Sequence, residues 1–238
     1  MSRFFLSNLP DAGTAVLDGV EAHHLMHVLR GSPGDIVELF NGSGLVAKAE
    51  IVSLHRRDAE LRILGAHREE RPVRQIVVGT AVPKGDRFDW LIEKATELGV
   101  TRLVPLVTAR SVVDPRDGKL DKLRQTVIAA CKQSGRNHLL ELSPVTSWND
   151  FIKSDLSVHS GFLAHLGPDS HPISSSLFDG HSTVVMAIGP EGGFTEEEVA
   201  MAIGSGAKPV SLGPLVLRIE TAALAMAACA LAGASAKD

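Results

Sequence analysis

Val184-Val185-Met186-Ala187-Ile188-Gly189-Pro190-Glu191-Gly192-Gly193-Phe194-Thr195 opens with five apolar residues, passes through a glycine-rich turn and ends on a helix-capping threonine. An uninterrupted apolar run of this length, bounded by glycine, predicts a strand buried on both faces of a parallel sheet. Thr195 with Glu198 three positions on is a capping-box pattern, so a helix is expected over 195–203. Strand, glycine turn and helix together make one α/β unit.

The same texture extends outward. Apolar strands are expected over 75–82, 102–108, 161–166 and 209–212, with helices over 87–98 (stopped by Gly99), 120–133 and 220–232. Strands alternating with helices indicate an α/β, mostly parallel sheet covered on both faces. The first seventy residues read differently. Runs 36–40, 45–54 and 59–64 are separated by the turns Asn41-Gly42-Ser43-Gly44 and Arg56-Arg57-Asp58, which suggests hairpins in a small barrel or sheet. A helix over 20–29 interrupts them, with Leu25, Val28 and Leu29 on one face. The charged, proline-ended stretch 67–72 reads as a linker, giving a β domain over 1–72 and an α/β domain over 73–238.

Composition narrows the class. A hydrophobic fraction of 44% builds a real core and excludes a disordered chain. Cys131 and Cys229 are too few for a disulfide framework and fit reduced thiols in a cytoplasmic protein. No basic-then-apolar leader opens the sequence, so no signal peptide is expected. The apolar stretch 222–234 is too short to span a bilayer, so no membrane partner is expected. The net charge of −4 argues against nucleic acid, yet residues 73–136 carry 12 Lys+Arg against 7 Asp+Glu between acidic ends. That basic segment is either a local phosphate grip or an ordinary solvated surface.

Open α/β sheets bind ligands beyond the carboxyl ends of their strands. Three glycine-bearing turns lie at such ends: 189–193, the long turn starting at Leu212-Gly213-Pro214, and His165-Leu166-Gly167-Pro168. Each alone reads as an ordinary strand-to-helix connection; three in one domain point to a ligand pocket. No Walker-type or Gly-x-Gly-x-x-Gly pattern is present. A glycine-lined pocket without them suits an adenosine-type ligand held by backbone groups.

Gly189 to Thr195, then Leu212-Gly213 and Leu217-Arg218-Ile219-Glu220-Thr221-Ala222, resemble the signature of the SPOUT methyltransferases. More narrowly, the chain is similar to the ribosomal RNA small subunit methyltransferase E family, and the likeness runs over nearly its whole length. It includes Arg3-Phe4-Phe5, His23-His24-Leu25, Val28-Leu29-Arg30, Gly34-Asp35, Lys84-Gly85-Asp86-Arg87, 94–100 and Gln133-Ser134-Gly135-Arg136. Two positions depart from the family pattern: Lys132 stands where an acidic residue is common, and Leu140 where a proline is common.

The resemblance implies methylation of uridine N3 in 16S ribosomal RNA with S-adenosyl-L-methionine. It also implies a trefoil-knotted SPOUT domain behind a PUA-like RNA-binding domain, and a homodimer with active sites at the subunit interface. It places cofactor contacts on Leu163, His165, Gly189, Pro190, Glu191, Gly192, Leu212, Gly213, Leu217, Thr221 and Ala222. RNA contacts fall on Arg3, His23, His24, Arg30, Lys84, Gln133 and Ser134, each with an ordinary surface role as the alternative.

Uridine N3 carries a proton, and its loss leaves negative charge on the uracil oxygens. A positioned arginine would stabilise that charge. Arg136 and Arg218 are the candidates, although Arg218 alternatively pairs with Glu220 or Glu191 to order the loop. Glu220 is either a general base or the N-cap of the last helix, and Glu191 either attracts the sulfonium or caps a turn. His23 and His27, four apart on a helix, have metal-ligand spacing, but no cysteine or acidic cluster completes a site, so no metal is expected. Trp90 and Trp148 read as core. The competing functions are a methyltransferase of the same fold acting on another RNA such as tRNA, a ribosome-assembly RNA-binding protein without catalysis, and a small-nucleotide binder.

Overall fold

Runs rich in β-branched and aromatic residues pair into one sheet at the start of the chain. The computed structural model describes residues 1–112 and 120–232. In it, β1 (Arg3–Phe5), β2 (Thr14–Leu17), β3 (Ile36–Phe40), β4 (Leu45–Leu54) and β5 (Ala59–Arg68) form a sheet in the order β1-β3-β4-β5-β2. Neighbours are antiparallel apart from β1, which runs parallel to β3. Register shifts after Lys48 and after Ile51 bulge the long β4–β5 pair, and bulges bend and twist a strand. The sheet curls into a half-barrel around Phe4, Leu17, Leu25, Leu39, Ile51 and Leu61, all essentially without solvent exposure.

Two expectations for this region need correction, and two short strands were not expected at all. β5 runs on to Arg68, where His67 and Arg68 pair with Val46 and Leu45, so the strand takes the first residues assigned to the linker. β1 and β2, of three and four residues, are too short to announce themselves by alternation. The helix after β2 is α1 (Gly19–His23) followed by a π-helical stretch, His24–Val28. A π turn advances more residues per rotation than an α turn. Leu25 therefore stays buried while Val28 and Leu29 turn outward, 61% and 43% exposed.

The apolar strands and helices that follow build the second sheet. In chain order they are β6 (Gln75–Ala81), α2 (Arg87–Glu97), β7 (Arg102–Val107), α3 (Leu120–Ser134), β8 (Glu141–Leu142), β9 (Thr146–Ser147), α4 (Trp148–Phe151), β10 (Ser160–Ala164), β11 (His171–Pro172), β12 (Thr183–Ile188), α5 (Glu196–Gly204), β13 (Lys208–Ser211) and α6 (Ile219–Ala232). Their order is β11-β13-β10-β12-β6-β7-β8, with β9 also on β7, and every pair is parallel. Trp148, Phe151, Leu163, Val185, Phe194 and Ala202 fill the core on one face. On the other, α6 packs on β6, β12 and α2, burying Leu91, Ile92, Met226 and Ala227. The small side chains of α6 let it lie close to the sheet. Trp90, expected in the core, is 46% exposed on α2, whereas Trp148 is buried as expected.

By contacts, the described residues fall into two units: Met1–Arg71 with Cys131–Leu139, and the remainder. No helix among the described residues is long and apolar enough to cross a membrane, and residues 233 and 234 of the apolar stretch lie outside them. Both cysteines are free thiols.

β13, β10 and β12 are adjacent and parallel, so the turns that leave them emerge from one edge of the sheet. That edge positions the site.

Candidate functional site

The three glycine turns enclose one cavity of about 350 Å³, within the range of ligand pockets. Its walls are mainly apolar side chains and backbone. His165, Gly189, Pro190, Glu191, Gly192, Leu212, Leu217 and Ala222 all line it.

Each turn is held from behind. Gly193, at φ 69, closes a tight turn through its N–H to Pro190 O at 2.8 Å. Arg110 Nη1 donates to Gly192 O at 2.6 Å, and Phe194 packs on Trp148 at 4.5 Å between ring centroids. A Cβ at Gly189 would stand 3.0 Å from the Phe194 ring, so any larger residue here would press on that ring. Beyond it, the Thr195 hydroxyl accepts from Glu198 N–H and Glu198 Oε2 accepts from Thr195 N–H, the reciprocal cap that starts α5. Glu198 Oε1 also accepts from Ala109 N–H at 2.7 Å. The Glu197 carboxyl is held below its ordinary pKa, first by its backbone hydrogen bond, then by Thr195, with the charge of Arg110 adding. In the second turn Gly213 takes φ 116, and the Ser211 hydroxyl meets both its N–H and its carbonyl. In the third, His165 N–H donates to Val210 O at 3.0 Å.

Three expected cofactor contacts lie off the wall. Leu163 is wholly buried in the core; successive strand residues face opposite ways, and Ala164 is the one that lines the cavity. Thr221 is exposed, because helical spacing turns Ile219 and Ala222 to the cavity instead. Gly213 shapes its turn without lining the cavity.

The charged residues are arranged differently from expectation. Arg87, not Arg218, stands within ion-pair distance of both carboxylates: 3.8 Å to Glu191 and 3.7 Å to Glu220. Arg218 is exposed between the lining residues Leu217 and Ile219. Glu220 is not the N-cap. It sits buried in the first turn of α6, where the helix dipole favours a carboxylate. Nothing in composition singled out Arg87 or Arg110, whose partners lie far along the chain.

The first unit holds the Gln133–Arg136 motif. Gln133 and Ser134 are exposed there, and Arg136 is half-buried. Burial lowers the pKa of its guanidinium from the ordinary value, with Cys131 acting the other way. Arg3 is not a free surface cation. It donates to Glu38 Oε1 at 2.6 Å, to Cys131 O at 2.8 Å and to Asn137 Oδ1, and stacks over Phe40. His24 is half-buried against Phe4, while His23 and Arg30 are exposed. Lys84, in the second unit, is exposed too. The His23 and His27 ring centroids lie 4.7 Å apart with the rings tilted, and no group of three metal-ligating side chains occurs among the described residues. Lys132, a departure from the family pattern, is answered locally: its ammonium lies 2.9 Å from Glu21, 3.2 Å from His24 Nδ1 and over the Phe4 ring. Leu140, the other, is buried.

Comparisons with known proteins agree with this layout. Residues 69–231 match an RNA methyltransferase domain and residues 17–64 an RNA methyltransferase PUA domain. The ribosomal RNA small subunit methyltransferase E of Bacillus subtilis is 32% identical over 241 residues, covering 94% of this chain and 93% of that protein. The Mycobacterium tuberculosis protein of the same name is 31% identical over 92% of this chain and 87% of its own. The crystal structure of the Neisseria gonorrhoeae counterpart, bound to S-adenosyl methionine, superposes with a TM-score of 0.85 at 32% identity, covering 96% and 95% of the two chains.

Proposed function

The chain belongs to the ribosomal RNA small subunit methyltransferase E family, and from that premise we propose that it transfers a methyl group from S-adenosyl-L-methionine to N3 of a uridine in 16S ribosomal RNA of the small subunit. The observation that carries the proposal is the single cavity built from three glycine turns at neighbouring carboxyl ends of a parallel sheet. Its volume and its backbone-rich wall, with Gly189 lying close against Phe194, fit an adenosine-bearing ligand.

The cofactor supplies an electrophilic methyl on a sulfonium, and loss of that methyl leaves a neutral thioether. The chain's own residues do the rest. Backbone groups of Gly189, Gly192, Leu212 and Leu217 hold the ligand, and the braces from Arg110 and Phe194 keep that wall preorganised. Arg136 places positive charge for the uracil oxygens once the N3 proton leaves; as an arginine it stays charged at physiological pH despite burial. Arg218, at the cavity rim, is the second candidate for that role, and Glu220 a candidate base. The PUA domain, with His23, His24 and Arg30, and in the catalytic domain Lys84, engages RNA. A cytoplasmic homodimer with the active site at the subunit interface, and a knotted catalytic domain, complete this reading.

The test is incubation with labelled S-adenosylmethionine and small subunits lacking native modification, followed by mass spectrometry of the labelled nucleoside. N3-methyluridine at one site is the expected result. Label on tRNA alone, or none on any RNA while the cofactor binds, means the substrate is wrong. Arg136→Ala is expected to lower kcat by roughly 100-fold with cofactor affinity unchanged.

A further inference from the structure

Among the described residues lining the cavity, Glu191 carries the formal charge; His165 is the other titratable group there. An apolar, backbone-walled site with one carboxylate is complementary to a cation. The neighbouring charges preserve that excess. Arg87 lies 3.8 Å from Glu191 and 3.7 Å from Glu220, inside ion-pair range but longer than ordinary hydrogen bonds. Its Nε is engaged by Lys84 O at 3.1 Å. One guanidinium is thus divided between two carboxylates, and Glu220 Oε2 is buried with no hydrogen-bond partner. Arg110, the other cation at this loop, is hydrogen-bonded to Gly192 O and faces the charge of Glu197. The cluster of Glu191, Arg87 and Glu220 carries a net negative charge, and Arg218, exposed at the rim, forms no ion pair with either carboxylate.

The geometry points to Glu191, held against Arg87 and Glu220, as the group by which the cavity prefers the cationic sulfonium cofactor over the neutral thioether left after transfer. This rests on the cofactor reading above. It gives the cluster a role in turnover: once the methyl has gone, the attraction goes with it and the product is released. Glu220 acts from outside the wall by holding Arg87 back from full neutralisation of Glu191.

The experiment is calorimetric titration of the whole protein with S-adenosylmethionine and, separately, S-adenosylhomocysteine. Glu191→Gln is expected to weaken the first by about ten-fold and the second by less than two-fold, since it removes charge and little shape. Glu220→Gln frees Arg87 to neutralise Glu191, so the same selective loss is expected, roughly several-fold, although residue 220 is off the wall. Parallel loss of both ligands in Glu191→Gln, or no change in either, overturns the proposal. Should Glu220→Gln fail to give a cooperative melt, Glu191→Gln, at an exposed residue, decides alone. Wild-type protein that binds neither ligand would instead overturn the cofactor assignment itself.

Discussion

Arg30 is a non-glycine residue at φ 56, a left-handed conformation that costs an L side chain about 1 kcal/mol or more. It follows the π-helical stretch, where Gly31 N–H caps Leu25 O at 3.0 Å, a position that glycine or asparagine usually fills. A strained, exposed cation next to exposed His27 and Val28 is an outlier that function explains better than stability does. Arg30→Gly is therefore expected to raise Tm by a few degrees and to weaken binding to small-subunit RNA in a filter-binding titration. Lower Tm would remove the strain argument. Gly79 poses the opposite constraint. A Cβ there would stand 2.3 Å from Phe151 Cζ, in a buried central strand facing a buried ring. Gly79→Ala is expected to cost about 1–3 kcal/mol by overpacking, seen as a lower urea midpoint at unchanged m-value, and Phe151→Leu in the same chain should recover part of it. Neither constraint was visible in the sequence, because a φ angle and a ring lying over a backbone are products of the tertiary fold. The bonds of Arg3 were hidden for the same reason: its partners Glu38, Cys131 and Asn137 lie 35 to 134 positions away.

Whole elements were legible where the signal is local. The start of α5 follows from Thr195 and Glu198 alone, and the structure returns both halves of the reciprocal cap. Thr195→Ala is expected to cost about 1 kcal/mol, the usual value of an N-cap. Glu198→Ala should cost more, about 2–3 kcal/mol, because Ala109 N–H also loses its acceptor. Thermal denaturation of the two variants checks the ranking; equal costs would mean the Ala109 bond is replaced by water. The apolar strands β6, β7, β10 and β12 were legible too, since burial on both faces demands hydrophobic runs, while β13, in which Val210 alone is fully buried, showed only as a short run before a glycine turn. From three of them the glycine turns, and so most of the cavity wall, could be placed before any coordinates. The failures share a cause. Period-3.6 reasoning put Val28 and Leu29 beside Leu25, and a π turn moved them. Leu163 and Thr221 were one residue off the lining positions, where pleat and helical rotation rather than proximity in sequence choose the face.

At the scale of the molecule, the segment Cys131–Leu139 illustrates what a linear reading cannot express. A single cut near residue 72 assigns it to the catalytic domain, whereas its contacts group it with Met1–Arg71. The reason is a dense set of polar contacts with that unit. Gly44 N–H donates to Asn137 O at 3.1 Å, Leu139 N–H to Gly42 O at 2.9 Å and Asn137 Nδ2 to Glu69 Oε2 at 2.7 Å, while His138 Nε2 meets the carbonyls of Glu69 and Glu70 at 3.1 Å each. Gly44, at φ 96, accommodates this approach because a Cβ would stand 2.4 Å from Glu69 O. The Gln133–Arg136 motif is thereby shaped by residues of the half-barrel unit, while the cavity wall draws wholly on residues 164–222. A fragment of residues 73–238 separates the two dependencies. It is expected to retain S-adenosylmethionine binding, since every lining residue and the braces from Arg110 and Trp148 are present. In the same fragment, hydrogen exchange across 131–139 should accelerate by orders of magnitude relative to the full chain, because those amides and carbonyls lose their partners. Methylation should vanish with it, through disorder at Arg136 rather than loss of cofactor. Protection of 131–139 persisting in the fragment would show that the segment is ordered by the catalytic domain alone, and that Arg136 owes its position to the parallel sheet and not to the half-barrel.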